Sequence, residues 1–357
     1  MNAIQAGRAH ELRGVGKPGR NHPGVTMKAA TYRRFGGPEV VRVEELPKPS
    51  PCPDEVLIKV HASTLSAADR RARSRRVPSG LQVLTALALG VFGPRRRVLG
   101  MDVAGVVEAI GTDVTGFRAG DEVVAMLGAK FGGHAEYVTV RQDGPITAKP
   151  RTMGFAEAVT LVFGGLTAQA FLARAGVEPG ATVLINGASG AVGTAAVQLA
   201  KHLGAHVTAV CSGGNRGLVT SLCADRVIDY TAEDFTARGQ TYDVIMDCVG
   251  NAPFSRVSAS LNPGGALLLV IADLNGMLQA SRNSRRSGKL VTAGDPRLHY
   301  TAEDLAALVR LADDGRYKAV IDRTYPLAEI VQAHRFVDTG RKRGNVVVKI
   351  AGESPND

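Results

Sequence analysis

The chain has 357 residues, enough for two domains that each bury a hydrophobic core. Its four cysteines are scattered and form no C-x-x-C pair, which argues against a disulfide framework and favours a reducing compartment. We expect a cytoplasmic protein, with the mitochondrial matrix second. The formal net charge is +10, but aromatic residues make up 5% and no nucleic-acid-binding signature is present. Nucleic-acid binding is therefore a secondary hypothesis.

The first 26 residues are rich in Gly, Arg and His and contain no apolar core, so we do not expect a secretory signal. Three explanations stay open for this basic extension: a disordered arm, a mitochondrial transit peptide, or a misassigned start codon. We rank the transit peptide last, because only residues 4–12 could form a convincing amphipathic helix.

Residues 27–150 predict a mostly antiparallel β domain. Short alternating strands at 55–61 and 122–126 are separated by turns rich in Gly and Asp. The apolar segment 81–92 is too short to span a bilayer, so no membrane span is expected. We expect a buried helix there; the alternative is a flexible apolar wall over a substrate mouth.

A glycine-rich turn at 187–193 follows an apolar strand and opens a helix of small residues. This order suits the diphosphate of a dinucleotide, because backbone N–H groups at a helix start face the anion. Gly190 would let the backbone approach the phosphates, and Gly193 would let the helix pack on the strand. Ala188 stands where the first glycine of the fingerprint is expected. The predicted phosphate-binding residues are Ser189, Gly190, Ala191, Val192 and Gly193.

Strands and helices alternate through residues 151–293. Strands are predicted at 183–186, 206–210, 226–229, 243–247, 266–271 and 289–292, which matches a complete doubly wound, parallel six-stranded Rossmann domain. Beyond residue 293, a capping box at Thr301–Asp304 predicts a helix to residue 314. A second helix at 327–337 and a strand at 346–350 follow.

Several motifs in order make the chain resemble the medium-chain dehydrogenases/reductases, in their zinc-free quinone oxidoreductase-like branch. They include Leu99-Gly-Met-Asp-Val-Ala-Gly, Gly133-His-Ala-Glu-Tyr137, the glycine turn, Val227-Ile-Asp-Tyr230 and Gly344-Asn-Val-Val347. The resemblance implies an α/β protein with a GroES-like catalytic domain formed by residues 27–150 and 294–357. A Rossmann domain at 151–293 would lie across a cleft from it. It also implies a homodimer, in which the strands at 266–271 and 289–292 lie at the sheet edge.

Zinc-dependent members of this superfamily carry a Cys three residues before an Asp, and a Gly-His-Glu on a later strand. In this chain Ser66 replaces the thiolate and Met101 replaces the imidazole. One remaining carboxylate cannot hold the ion, so no metal is expected. Without a Lewis acid, the favoured reaction is hydride transfer to an activated acceptor, a quinone or an α,β-unsaturated carbonyl.

NADPH is the predicted cofactor, because the second strand of the Rossmann domain ends without the acid that would bind an NAD ribose. Relatives often carry a basic residue at the position of Gly214. In this chain Arg216 would have to reach the 2′-phosphate of NADPH from the start of the next helix. The alternative is that Arg216 is a solvated surface residue. The candidates at the adenosine end are Ser212, Asn215, Arg216 and Tyr230. Cys248, Val249 and Gly250 follow the fourth strand, at the carboxyl edge where ligands bind. The resemblance adds Thr167 beside the nicotinamide, and Ile271 and Asn345 along the cofactor.

Ser66 is the only polar side chain that we propose at the hydride centre. The branch usually has Asn there, so Ser66 could equally be a small residue that shapes the pocket. Asp69 and Tyr137 match motif positions, and either could be structural. Two alternatives stay open: a 2-enoyl-thioester reductase, for which the arginines of 70–76 could attract a CoA or carrier phosphate, and a non-catalytic NADPH- or nucleic-acid-binding protein.

Overall fold

The computed structural model describes residues 24–237, 239–293 and 299–350. Most of the predicted N-terminal extension therefore lies outside the described residues, as do the first five and last seven residues of the predicted return segment. The described chain forms a two-stranded sheet, a six-stranded sheet and a seven-stranded sheet.

Residues 24–150 form most of a β-rich lobe. Its elements are β1 (Thr26–Tyr32), β2 (Val41–Pro47), β3 (Glu55–Thr64), α1 (Ala67–Ser74), α2 (Gln82–Leu89), β4 (Asp102–Ile110), β5 (Glu122–Met126), β6 (Tyr137–Arg141) and β7 (Ile146–Ala148). β3 pairs antiparallel with β4 and β6, and β5 joins β4 to β7. The expected antiparallel β lobe is confirmed.

Residues 151–293 form an α/β lobe. Its elements are α3 (Phe155–Ala158), α4 (Val162–Ala175), β8 (Thr182–Asn186), α5 (Ala191–His202), β9 (His206–Cys211), α6 (Arg216–Ser221), β10 (Arg226–Asp229), β11 (Tyr242–Asp247), α7 (Phe254–Val257), β12 (Leu261–Leu269), α8 (Leu274–Ser287) and β13 (Leu290–Ala293). The strand order is β10-β9-β8-β11-β12-β13, and every pair is parallel. This order confirms the doubly wound Rossmann fold.

The last described segment returns to the β-rich lobe. It contains α9 (Ala302–Asp313), β14 (Ile321–Pro326), α10 (Ile330–Asp338) and β15 (Asn345–Lys349), and β15 pairs antiparallel with β3. The predicted capping box is present: the Thr301 hydroxyl accepts from the Asp304 N–H, and the Asp304 carboxylate accepts from the Thr301 N–H. The return of the chain leaves a cleft between the two lobes.

Two details of the sequence analysis are wrong. The segment around α2 is helical but not buried: α2 has no buried residue, and Val83 and Leu84 are 70% and 57% exposed. β12 is not an edge strand, because it pairs with both β11 and β13, so only β13 forms that edge of the sheet.

The 155–175 stretch, which spans α3 and α4, is long and apolar enough to cross a membrane by length and composition alone. It is 72% buried inside the protein. Gly164 lets α4 pack against the start of α5, since a side chain there would contact the Ala191 carbonyl. This stretch is therefore a core helix of the α/β lobe.

Candidate active site

A cleft of about 1240 Å³ separates the two lobes. One wall carries the glycine turn and the carboxyl ends of the parallel strands. The opposite wall carries Ser66, Arg70, Arg71 and Leu84, and the return segment adds Tyr300 and Lys342. Ligands of doubly wound sheets bind outside the carboxyl ends of the strands, where the strand order reverses. The cleft occupies this position beside β8.

The glycine turn is built from backbone contacts. Gly187 has a φ of +79°, which favours glycine, and Gly193 packs so closely on the Gly187 carbonyl that a Cβ there would overlap it. A Cβ on Gly190 would meet nothing closer than the Gly187 oxygen at 3.5 Å. No side chain caps the N-terminus of α5, and its first residues, Ala191 and Val192, line the cleft. This cradle of N–H groups fits a dinucleotide diphosphate.

Asp247, at the end of β11, shapes the neighbouring turn. Its fully buried carboxylate accepts hydrogen bonds from the N–H groups of Val249, Gly250 and Ala252, at 2.9 to 3.0 Å. Asn186 donates to the same carboxylate at 2.9 Å. Asp247 was not predicted as a site residue, although an acid at the end of an apolar strand was a usable signal.

Cys248 is held in this turn and lines the cleft. Burial raises the pKa of its thiol well above the ordinary value, as does the neighbouring Asp247. The thiol is therefore neutral and is not an activated nucleophile.

At the adenosine end, Tyr230 is 60% exposed and lines the cleft, and Asn215 donates to the Ser189 hydroxyl at 3.0 Å. Arg216 is exposed at the start of α6. The sequence analysis missed Asp229, whose carboxylate contacts Gly213. Hydrogen bonds from Thr231 and Gly213 hold the pKa of Asp229 below its usual value, and the charge of Arg216 lowers it further. Arg216 thus has an acidic neighbour.

Two hydroxyl groups of the cleft lining lie together. The Thr167 hydroxyl donates to the Phe163 carbonyl at 2.7 Å, and the Tyr300 hydroxyl lies 3.5 Å from the Thr167 oxygen. Tyr300 was not predicted, because it belongs to no sequence motif. Phe163, Val270 and Met277 are apolar residues of the same cleft lining.

Ser66 lines the cleft, but its hydroxyl is occupied as the N-cap of α1. It donates to Asp69 at 2.6 Å and accepts from the N–H groups of Ala68 and Asp69. Asp69 is fully buried, and its second carboxylate oxygen accepts from the Gly100 N–H at 2.8 Å. The hydrogen bonds of Ser66 and Asp69 therefore fix the start of α1 and join it to Gly100, which stabilises the cleft wall of the β-rich lobe. Tyr137 lies away from the cleft lining, beneath the Lys48 ammonium.

The return segment contacts the glycine turn directly, because the Gly344 N–H donates to the Ser189 carbonyl at 2.8 Å. Asn345 is buried, and its amide donates to the Val320 carbonyl instead of facing the cleft. Lys342 does line the cleft, donates to the Gly344 carbonyl at 2.7 Å, and has its pKa lowered to about 8 by burial. Lys342 was not predicted, because Arg341, Lys342 and Arg343 form a run of basic residues that is typical of an exposed surface.

The structure brings most of the predicted cofactor residues to this cleft. Its lining includes Thr167, Ser189, Gly190, Ala191, Val192, Gly193, Tyr230, Cys248, Val249 and Ile271. Gly250 lines an adjoining cavity of about 560 Å³. The remaining predicted cofactor residues, outside the lining of either cavity, are Ser212, Asn215, Arg216 and Asn345.

The positions that bind zinc in relatives hold Ser66, Met101 and Asp102. Asp102 is fully buried and accepts from the Thr64 N–H and hydroxyl at 2.7 Å each. Burial raises its pKa to about 7. Within the part of the chain that the structure describes, no group of three or more His, Cys, Asp or Glu side chains could hold a metal ion.

Comparisons with known proteins agree with this geometry. A family model described as an alcohol dehydrogenase GroES-like domain matches residues 52–151, and one described as a zinc-binding dehydrogenase matches residues 222–348. A chloroplast envelope quinone oxidoreductase homolog from Arabidopsis thaliana is 33% identical over 341 residues, covering 91% of this chain and 99% of the relative.

The chain belongs to the medium-chain dehydrogenase/reductase superfamily, in its quinone oxidoreductase-like branch. An NADPH-dependent alkenal/one oxidoreductase from Arabidopsis thaliana is 30% identical, covering 90% of this chain and 79% of that relative. The solved quinone oxidoreductase from Coxiella burnetii superposes with a TM-score of 0.81 at 30% identity, covering 92% of this chain and 100% of that structure. The protein is an oxidoreductase that uses a nicotinamide cofactor and a small-molecule substrate.

Proposed function

We propose that this protein is a zinc-independent, NADPH-dependent reductase of quinones or α,β-unsaturated carbonyls. The observation that carries the proposal is the pair of hydroxyl groups that Thr167 and Tyr300 place in a cleft that is also lined by apolar side chains. Ser66 and Met101 occupy the positions at which zinc-dependent relatives bind their metal. An acceptor that is already activated needs only orientation and a hydrogen bond to its oxygen.

The residues of the cleft fit the cofactor. The N–H groups at the start of α5 face the diphosphate position, and Lys342 adds a cation beside them. The cofactor, when bound, supplies the hydride, and the protein supplies orientation and exclusion of water. The Tyr300 hydroxyl is positioned to donate a hydrogen bond to the acceptor's oxygen. Phe163, Val270 and Met277 exclude water from the reacting centre.

NADPH selectivity is assigned to Arg216. β9 itself ends in Cys211 without a carboxylate, and Arg216 is the cation that a 2′-phosphate would meet there. Asp229 of β10 is already the acidic neighbour of Arg216, so the phosphate would compete with this carboxylate for the arginine. A charge-assisted contact contributes about 1.5–3 kcal/mol. The variant Arg216→Ala should therefore raise the KM for NADPH roughly 10- to 150-fold and leave the KM for NADH nearly unchanged. Equal weakening of both cofactors would rule Arg216 out as the phosphate ligand.

The activity is tested by NADPH oxidation with quinones, enals and enoyl thioesters, before and after EDTA treatment. We expect turnover of the first two classes and no effect of EDTA. Loss of activity on metal removal, or stoichiometric zinc between Ser66 and Met101, would refute the zinc-independent mechanism. Bound NADPH with no turnover of any acceptor would favour a non-catalytic binding protein.

One observation favours 2-enoyl-thioester reduction as the second candidate. Arg71 lines both the main cleft and the adjoining cavity, where Arg76 also lies, so a phosphate-bearing substrate arm would meet two cations. Faster turnover of a CoA thioester than of the matching simple enone would favour this reaction. Equal turnover of the two would remove it.

We also propose that the protein forms a homodimer in which the two subunits pair through β13. We further propose that it is located in the cytoplasm. β13 is an edge strand with Leu290 40% exposed, and pairing with a second subunit would cover this edge, where the Val291 N–H now donates to the Ser284 hydroxyl at 2.8 Å. Light scattering should give a dimer mass at micromolar concentration. A monomer mass would contradict the assembly without affecting the reaction.

A further inference from the structure

We propose that α2 and the loop after it form a docking surface for a membrane that contains anionic lipids. We define the α2 surface as five apolar side chains and three arginines: Val83, Leu84, Leu87, Val91, Phe92, Arg95, Arg96 and Arg97. This surface lies beside the cleft, and its binding to lipid does not depend on the proposed reaction.

The apolar part of this surface is unusually exposed. The five apolar side chains are 70%, 57%, 55%, 50% and 105% exposed in chain order, and α2 buries no residue. A surface helix of a globular protein normally buries its apolar stripe against a core. A contiguous apolar patch with a polar rim marks a surface that binds something.

The charge around these side chains has one sign. Residues 70–101 contain eight arginines and no Lys, Asp or Glu, whereas the whole chain has a net charge of +10. Arg70 and Arg73 pair with Asp338, and Arg75 stacks on Phe35. Arg95, Arg96 and Arg97 are exposed, and no carboxylate of the described residues lies within ion-pair distance of them.

An anionic bilayer satisfies both halves of this surface. Phosphate headgroups would pair with the arginines, while the apolar side chains would enter the boundary of the acyl chains. A second copy of the chain fits poorly, since self-contact would set Arg95–Arg97 against the same residues. A nucleic acid would meet the charges but leave the aliphatic side chains in water, and Phe92 is the only aromatic ring available for stacking. The N-terminal segment is itself basic and would be repelled.

The α2 surface also borders the mouth of the cleft. Leu84 belongs to the lining of the cleft, and the Leu274 N–H of α8 donates to the Ser79 carbonyl just before α2 at 3.0 Å. Met277 of the same helix lines the cleft as well. Under the proposed function, this position would let a lipid-soluble acceptor pass from the membrane into the cleft without crossing water.

The test is sedimentation of the full chain with vesicles. We expect the protein to bind vesicles of phosphatidylcholine with about one third phosphatidylglycerol, and not vesicles of phosphatidylcholine alone. Added salt should weaken the binding, because headgroup attraction is screened. Absence of binding to the anionic vesicles at low salt would overturn the proposal, whether or not the protein reduces quinones.

Two variants separate the apolar contribution from the charge. The change Arg95→Gln/Arg96→Gln/Arg97→Gln should weaken vesicle binding on the order of a hundredfold, at roughly fivefold for each arginine near the surface. Leu87→Gln/Phe92→Ser keeps every charge and should weaken binding about tenfold or more. The substituted residues are all exposed, and none of them lines the cleft. The midpoint of thermal unfolding should therefore stay unchanged in both variants.

Matched controls carry the same changes elsewhere. Arg310→Gln/Arg316→Gln/Arg335→Gln removes three exposed arginines that, like Arg95–Arg97, have no carboxylate of the described residues within ion-pair distance, and Val25→Gln/Leu203→Gln removes two exposed apolar side chains. Losses in these controls equal to those in the α2 variants would show unspecific attraction and refute the docking surface. The docking surface would also be refuted if the wild type did not bind vesicles and the Leu87→Gln/Phe92→Ser substitutions dissociated an oligomer of the protein. Binding of a random oligonucleotide that only the arginine variant loses, without vesicle binding, would assign the surface to nucleic acid instead.

Discussion

The two walls of the cleft are specified by different parts of the chain. The wall of the α/β lobe is made mainly of backbone: a turn with positive φ at Gly187, a close contact at Gly193 and the N-terminus of α5. The opposite wall is made of side chains that come from distant segments, such as Arg71, Tyr300 and Lys342. A backbone cradle recognises what every dinucleotide shares, whereas under the proposed function the side-chain wall would select the acceptor.

The largest expected effect concerns the support of the side-chain wall. Arg73 of α1 is 1% exposed and donates to both carboxylate oxygens of Asp338 in α10 at 2.7 Å, while two of its other nitrogens have no partner. The variant Asp338→Ala leaves this guanidinium buried and unpaired, which should lower the free energy of unfolding by about 3–5 kcal/mol. Urea unfolding measures the loss.

The matched control is Asp121→Ala. The partner of Asp121, Arg118, is 89% exposed, so this variant should lose about 1 kcal/mol or less. Equal losses in the two variants would show that α1 is not anchored through Arg73, and the side-chain wall would then be looser than the structure indicates.

The second prediction concerns the joint between the walls. Asp102 is buried between Thr64 of β3 and the Phe163 N–H of α4, and burial raises its pKa from 3.8 to about 7. The unfolded chain releases this proton near pH 4 and the folded chain keeps it to about pH 7. The free energy of unfolding should therefore fall as pH rises between these values, by up to about 1.4 kcal/mol per pH unit, and then level off.

The variant Asp102→Asn cannot titrate and should flatten this part of the stability curve. Urea unfolding of both proteins from pH 4 to pH 8 measures the difference. Parallel curves would show that Asp102 does not carry the proton and that the joint between the lobes is insensitive to pH.

The backbone wall is tested at Gly193. A Cβ at this position would overlap the Gly187 carbonyl and lie 2.7 Å from the Ala188 Cα, so the turn must open. Gly193→Ala should cost about 1–3 kcal/mol of stability, and binding of NADPH should weaken with it. Gly217→Ala in α6 is the control, because a Cβ there meets nothing within 4 Å, and it should be neutral or slightly stabilising. Unchanged NADPH affinity in Gly193→Ala, measured by cofactor fluorescence, would remove the turn from the binding site.

The sequence predicted the α/β wall well because its signals are local. A strand, a turn that needs glycine and a small-residue helix follow one another within about twenty residues. The six strands also lie in one continuous segment of the chain, and they form one sheet in the order β10-β9-β8-β11-β12-β13. Asp247 and Asp229 were missed although each ends a predicted strand. Their importance lies in the N–H groups that they hold, which the sequence does not show.

The opposite wall was predicted poorly because burial and proximity depend on the tertiary fold. The apolar composition of α2 indicated a core helix, but the fold packs Leu89 against the core and leaves Val83, Leu84 and Leu87 more than half exposed. Ser66 was a plausible polar group at the hydride centre until its hydroxyl was seen to cap α1. Tyr300 is adjacent to Thr167 only because the return segment crosses the cleft.

The smallest expected effect, and the sharpest for the side-chain wall, concerns the Tyr300 hydroxyl. If this hydroxyl donates to the acceptor's oxygen, Tyr300→Phe removes a hydrogen bond worth about 0.5–1.5 kcal/mol, so kcat should fall up to about tenfold. If the hydroxyl contacts the acceptor and not the cofactor, the KM for NADPH should not change. Tyr325→Phe in β14 is the control, since Tyr325 is not among the residues that line the cleft. Steady-state kinetics with one quinone and one enone measure both variants. An unchanged kcat for both acceptors would mean that the oxygen is polarised by another group, and a changed KM for NADPH alone would move Tyr300 from the acceptor to the cofactor.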